Sequence, residues 1–233
     1  MNITDSGYDK SVEDSIRFYS NKFLLSIYDL NVTYFNNRFA WKCPKERIVR
    51  HYTENLSYNH LEVGVASVYY LQQVLKQKNV QRLAIMDLNE NCLRKSAAKL
   101  HSATPEVYQQ NILQPIEFHS SLFNSIGLNY VLHVVPGSFE EKGIIFKNLK
   151  SLMNEGGVLF GNTLLTKGVQ RNFLSRLIMS GANKRGYFHN ENDSLAGLQK
   201  ALSEAFEHVK IDIEGCAAIF QASDKPLVSG TGL

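Results

Sequence analysis

Two kinds of hydrophobic patterning alternate along the chain. Apolar runs of strand length occur at His60-Leu61-Glu62-Val63-Gly64-Val65-Ala66-Ser67, which breaks into a glycine turn, and at Leu83-Ala84-Ile85-Met86-Asp87, which ends in a carboxylate. After each run the spacing changes to that of a helix. Val68, Leu71, Val74 and Leu75 follow the first, and Leu93, Ala97 and Leu100 the second, with Asn89 placed as an N-cap. Residues 125–135 have strand character and stop near Pro136-Gly137. Ser138-Phe139-Glu140-Glu141 reads as a capping box that opens a helix through Ile145, Leu149 and Leu152, which Asn154-Glu155-Gly156-Gly157 would close. A strand over 158–165 and helices over 169–179 and 194–206 follow, the last with Leu195, Leu198, Leu202 and Phe206 on one face. The chain ends in strands over 209–213 and 217–222, joined through Glu214-Gly215-Cys216. So short a joint requires an antiparallel pair.

This order predicts an α/β protein: a Rossmann-like, mostly parallel seven-stranded sheet with a C-terminal antiparallel hairpin and helices on both faces. Two strands ending in acids with a helix between them form a nucleoside-binding βαβ unit. There the turn cradles a charged tail and the second acid binds ribose hydroxyls. Eleven of the 25 aromatic residues lie in the first sixty positions, including Phe18, Tyr19, Phe23, Tyr28, Tyr34, Phe35, Phe39 and Trp41. The excess predicts an N-terminal helical lid over the cleft (residues 1–55), ahead of the α/β domain (56–223) and a flexible tail (224–233). A helix pair simply packed on the sheet, or a homodimer through this segment, would use the same aromatics.

Composition removes several classes. A net charge of +3 from 25 basic and 22 acidic residues, without like-charge runs, gives no footing for a nucleic-acid partner. Cys43, Cys92 and Cys216 are odd in number, far apart and without metal-ligand spacing, which predicts unpaired thiols in a reducing compartment and no metal. An acidic N-terminus and the lack of eighteen apolar residues in a row predict a cytoplasmic protein with no membrane partner. The stretch 181–192, rich in Gly and Asn, reads as a mobile loop.

Glu62-x-Gly64, Asp87, Asn111-Ile112-Leu113, Asn129-Tyr130-Val131-Leu132-His133 and the closing hairpin together resemble the class I S-adenosylmethionine-dependent methyltransferases over residues 56–223. The Asn-Tyr-x-Leu-His segment and Arg38-Phe39-Ala40-Trp41-Lys42-Cys43-Pro44 are similar to the small-molecule enzymes of secondary metabolism in that group. The resemblance implies S-adenosylmethionine as cofactor and methyl transfer to an O, N or C atom of a small, apolar or aromatic substrate. It also implies roles: Glu62 and Asn129 fix the methionine end, the backbone at Gly64 and Ala66 faces the carboxylate, and Asp87 accepts the ribose hydroxyls. Leu88 and Ile112 sandwich the adenine, and Asn111 accepts from its amine.

The family pattern has glycine where this chain has Ala66 and Val68. A β-branched residue does not readily take positive φ, so Ser67 is expected to cap the helix with Val68 as its first residue. The crowded turn leaves room for a second reading, a degenerate scaffold acting as a non-methylating catalyst or binding partner. The glycines of a nicotinamide fingerprint are met only at Gly64, and no phosphate-loop element exists. The absence of Asn/Asp-Pro-Pro-aromatic after the fourth strand argues against nucleobase and amide nitrogen targets. His133 is a candidate base because a histidine soon after that strand can reach the cleft, although packing in the turn against backbone is an equal reading; Tyr130 and His189 are further candidates.

Overall fold

The computed structural model describes residues 37–227. Of the lid expected over residues 1–55, residues 1–36 lie outside the described residues; within the rest, Ile48 and Tyr52 pack into the core against the sheet. From the N-terminal side the elements are α1 (Lys45–Asn55), β1 (Asn59–Val63), α2 (Tyr69–Leu75), β2 (Arg82–Asp87), α3 (Glu90–Lys99), β3 (Glu106–Gln109) and β4 (Phe123–Asn129). Then come α4 (Phe139–Lys142), α5 (Ile144–Lys150), β5 (Met153–Leu164), α6 (Phe173–Lys184), α7 (Leu195–Ser203), β6 (His208–Glu214) and β7 (Ala217–Ser223). The seven strands are ordered β3-β2-β1-β4-β5-β7-β6. The first five run parallel, and β7 pairs antiparallel with both β5 and β6.

Alternation along the strands separates two cores. Leu61 and Val63 of β1 face the layer that holds Ile145, Phe146 and Leu149 of α5 and Leu198 and Leu202 of α7. On the other side, Leu83 and Ile85 of β2 pack with Ile48 and Tyr52 of α1 and with Leu71 and Val74 of α2. Both faces of the sheet are thus covered by apolar helix stripes, as parallel pairing demands. Cys43, Cys92 and Cys216 are buried and form no disulfide among the described residues.

Local chemistry explains most boundaries. Asn89 Oδ1 accepts from the amides of Asn91 and Cys92 at 2.9 and 3.3 Å, opening α3 as its sequence predicts. The capping box of Ser138 and Glu141 is present, but Gly143 divides the expected helix into α4 and α5.

Several expectations are corrected. Asn154-Glu155-Gly156-Gly157 does not close a helix: it is an irregular start of β5, where pairing with β4 jumps from Phe123↔Met153 to Ser125↔Val158 and Gly156 takes φ +73°. The helix expected at 169–179 begins at Phe173 instead, because Asn172 Oδ1 accepts from Ser175 N at 2.7 Å, and it runs through Gly181 to Lys184. The 181–192 stretch is no mobile loop, since Asn190 is fully buried, as is Asp193 just beyond it. Ser67 does not cap α2. Val68 itself stands at the cap position with φ −103°, so it meets no left-handed strain and its side chain sinks into the core. The tail is anchored at its start, where Lys150 binds Asp224 at 2.7 Å and Lys225 binds Glu155 at 2.8 Å.

Candidate functional site

Strand order reverses direction between β1 and β4, and the crevice beyond their carboxyl ends is where such sheets bind ligands. A cleft of about 850 Å³, including its open mouth, occupies that position. Gly64, Ala66, Asp87, Leu88, Asn111 and Ile112 all line it.

The floor is a turn that only one glycine opens. Gly64 has φ +77°, and a Cβ there would sit 2.1 Å from Val131 Cγ2. The rest of the turn is held by side chains: Val65 N donates to Asp87 Oδ2 at 2.7 Å, and Ser96 Oγ of α3 donates to Val65 O at 2.6 Å. Ala66 reaches the cleft while Val68 points away from it, so the crowding foreseen in the sequence does not fill the cavity.

Asp87 also accepts from Asn89 N at 2.8 Å through Oδ1. Burial pushes its pKa up, opposed by the backbone N–H groups of Asn89, Val65 and Leu88. A carboxylate offers about four acceptor positions, so capacity for a ligand hydroxyl remains. Asn111 Oδ1 accepts from Leu113 N at 3.0 Å and shapes its own turn, and Ile112 O accepts from Asn148 of α5 at 2.9 Å. Leu88 and Ile112 supply apolar walls. A backbone gap at Gly64, a carboxylate at the end of β2 and these apolar plates suit an adenosyl group with a charged tail.

Two predicted cofactor residues lie elsewhere. Glu62 is 3% exposed and outside the lining; its Oε1 accepts from Tyr52 Oη at 2.5 Å, and its Oε2 meets His60 Nε2 at 3.1 Å. The other ring nitrogen, Nδ1, lies within hydrogen-bond distance of Ser125 Oγ, at 2.8 Å. Burial and the Glu62 charge hold the Tyr52 phenol well above its usual pKa, so that proton stays on oxygen. Glu62 is thus a buried anchor between α1 and the sheet, packed over Gly127, where an added Cβ would stand 2.4 Å from Glu62 Oε2. Asn129 is also buried, its Oδ1 accepting from Asn162 Nδ2 at 3.0 Å.

The two expected catalytic residues follow β4 in a tight turn. Tyr130 takes φ +54°, a left-handed conformation unusual for an aromatic, and its N–H donates to Asn162 O at 2.9 Å. Its ring lines the cleft, while the hydroxyl donates to Asn37 Oδ1 at 3.3 Å. Asn37 Nδ2 donates to the hydroxyl of Tyr70, whose ring stacks on that of Tyr130. Burial, then the neighbouring Tyr70, holds the Tyr130 phenol well above its usual pKa, so the hydroxyl keeps its proton.

His133 lies in a short 3-10 turn, Leu132–Val134, and is 1% exposed, between the cleft-lining Val131 and Val134 in sequence. Neither ring nitrogen has a hydrogen-bond partner among the described residues. Burial first, and the Lys142 charge second, lower its pKa to about 3, so the imidazole is neutral at physiological pH. His189 stands beyond it, with His189 N donating to His133 O at 2.8 Å.

Sequence reasoning missed four participants. Tyr52 was legible as part of the apolar face of α1, one turn after Ile48, but nothing marked its bond to Glu62. Cys92 lines the cleft beside Asp87, and its thiol is pushed up to about 12 by burial and then by the Asp87 charge, so it is no nucleophile. Lys142 and Asp193 form a fully buried ion pair at 2.8 Å. No local pattern joins residues 51 positions apart.

No family model matches the sequence. The chain is 34% identical over 219 residues to demethylluteothin O-methyltransferase of Streptomyces thioluteus, covering 94% of this chain and 95% of that protein. It is 37% identical over 221 residues to methyltransferase ctvB of Aspergillus terreus, covering 92% and 96%. Among solved structures, PigF with SAH superposes with a TM-score of 0.65 at 16% identity, covering 93% of this chain and 63% of PigF. The O-methyltransferase NcsB1 from neocarzinostatin biosynthesis, in complex with S-adenosylmethionine and a naphthoic acid, gives 0.61 at 15% identity, covering 89% and 59%. The chain thus spans roughly three fifths of these two structures, which establish the fold.

Proposed function

The chain belongs to the class I S-adenosylmethionine-dependent methyltransferases that act on small molecules, and on that footing we propose that it methylates a hydroxyl oxygen on a phenolic or enolic biosynthetic metabolite. S-Adenosylmethionine is the cofactor, and when bound it supplies a methyl group already activated by its sulfonium. The observation that carries the finer reading is the pairing of the cleft at the end of β1, β2 and β4 with a buried, neutral histidine in the turn that forms its wall.

In this reading Asp87 binds the ribose, Leu88 and Ile112 hold the adenine from either side, and Asn111 sits at the adenine edge. The backbone at Gly64 and Ala66 receives the methionine end. Glu62 and Asn129 act from behind, Glu62 by keeping β1 and α1 in register. Tyr130, Val134 and Val135 offer the acceptor an apolar surface. His133 takes a hydrogen bond from the acceptor hydroxyl at its unprotonated ring nitrogen, orients the oxygen, and receives the proton as the new bond forms. The imidazole is neutral across physiological pH, so one ring nitrogen carries no proton. Alignment and water exclusion do the remaining work, because the methyl carbon needs no further activation.

Titration calorimetry with S-adenosylhomocysteine, followed by mass spectrometry of phenol and amine panels, tests the reading. Micromolar binding and methyl ethers from phenols are expected; silence at millimolar ligand, or methylation of amines alone, overturns it. Asp87→Ala should weaken the nucleoside by roughly 1.5 to 3 kcal/mol, the scale of hydrogen bonds to a charged group. An unchanged affinity would remove Asp87 from the site.

A further inference from the structure

The turn that carries His133 is fastened by a fully buried ion pair that the cofactor site does not use. Lys142, the last residue of α4, and Asp193, shortly before α7, are each 0% exposed and meet at 2.8 Å. The three ammonium protons go to Asp193 Oδ2, to Leu132 O at 3.0 Å and to His189 O at 3.1 Å. His189 N in turn donates to His133 O at 2.8 Å. The carbonyls of residues 132 and 133 are therefore both held by one cluster. Asp193 is itself fixed to the exit of β5, its carbonyl accepting from Thr166 N at 3.0 Å and Lys167 N at 3.1 Å. On the same segment, the Phe188 ring lies edge-on to the imidazole, centroids 4.6 Å apart.

Such a pair is a poor investment in stability. Burying two charges costs several kcal/mol per ion, and apolar residues of similar volume often serve as well or better. Asp193 Oδ1 has no partner among the described residues. What the pair does instead is immobilise one short turn and place a positive charge near one imidazole.

We propose that Lys142 and Asp193 are positioning residues for methyl transfer: their ion pair locks the peptide units on either side of the His133 side chain, so that the imidazole is held in one orientation. This rests on the reading of His133 as the group that receives the acceptor's proton. The titratable groups around His133 are Tyr130 on its own turn, Lys142 on α4, and His189 and Asp193 on the 188–193 segment. Burial and the Lys142 charge act on His133 in the same direction.

The double variant Lys142→Met/Asp193→Leu removes both charges without stranding either. Long-range proton–nitrogen NMR of the protein saturated with S-adenosylhomocysteine reads the imidazole without an acceptor. The wild type should show one neutral tautomer down to acidic pH. In the double variant the His133 midpoint should rise by roughly one unit, the scale of one nearby charge, and the two tautomers should mix. S-Adenosylhomocysteine affinity should stay within about twofold, because the cleft lining is untouched, while kcat on the phenol found in the panel should fall roughly tenfold or more with little change in KM. An unchanged titration, tautomer and kcat in the folded double variant overturn the proposal. Should the double variant fail to fold, Asp193→Asn, which leaves the Lys142 bonds to both carbonyls possible, decides: exchange broadening of the His133 signals with a lower kcat supports it, and wild-type spectra and rates overturn it. His133→Ala separates the two ideas. Full activity there refutes the proton-accepting role and this proposal with it, whereas lost activity beside an unaffected double variant refutes the positioning alone.

Discussion

The two walls of the cleft are built on different principles. On the side of β1 and β2, the cleft-lining groups sit at strand ends and in the turns just after them: Gly64, Asp87, Leu88 and Asn111 are positioned by backbone geometry and by hydrogen bonds to neighbouring amides. On the side that follows β4, a left-handed Tyr130 and a buried His133 are held by groups from other elements: Asn37, Tyr70, Lys142, Phe188 and Asp193. A nucleoside that never varies can be bound by a rigid edge of the sheet. An acceptor that differs between enzymes is met by segments whose shape is set by tertiary contacts, which is where such folds vary their specificity.

This contrast makes predictions that differ in size. Gly64→Ala should be the most damaging, since it adds left-handed strain of about 1–2 kcal/mol and an overpacking cost of about 1–3 kcal/mol against Val131. Urea unfolding should show the loss, together with collapse of nucleoside binding. Retained stability would mean that Val131 yields freely and that the two walls are less coupled than their contact implies.

Acid should act first on the face away from the nucleoside. Burial lowers His133 to about 3 and His51, whose Nε2 bonds Phe220 O at 2.9 Å, to about 4. Both folded-state values lie below the unfolded value, so the unfolded chain binds more protons and stability falls as pH drops below about 6.5, levelling only below pH 3–4. Between pH 6.5 and 5.5 the two should together cost roughly 2 kcal/mol, seen as a lower urea midpoint, and His133→Phe should remove about half of that slope. A flat profile would show that the imidazoles reach water.

Ser96→Ala should have the smallest effect. It leaves Val65 O without its donor, at about 1 kcal/mol, and should loosen nucleoside binding a few-fold. No change in binding would show that Asp87 alone pins the turn.

Both the legible and the illegible parts of the site have physical reasons. Asp87 and Asn89 could be read from sequence because a carboxylate at a strand end followed by a capping asparagine is a contiguous pattern with one local outcome. Gly64 was readable for the same reason, being the residue that admits positive φ in that turn. The fate of Val68 was half legible: its burial followed from helical spacing, but the cap assigned to Ser67 did not form, because the turn is closed from outside by Asp87 and Ser96. Asn154-Glu155-Gly156-Gly157 misled as a helix terminator because Gly at positive φ serves an irregular strand as readily as a helix end. Glu62 illustrates the limit of motif reading. Its place at the end of β1 was correct, but its partners Tyr52 and His60 turn it inward, and only the packing of α1 on the sheet decides that.

By itself, then, the amino-acid order determined the alternation of strands and helices, the antiparallel closing hairpin and the places of Gly64 and Asp87 that line the cleft, because each follows from periodicity or from dihedral preferences within a few residues. The tertiary structure alone decided which buried charges find each other. Lys142 meets Asp193, Tyr52 meets Glu62, and His133 is left with its nitrogens unpaired and its charge suppressed, since burial and Coulomb forces act across space between residues that no local pattern connects.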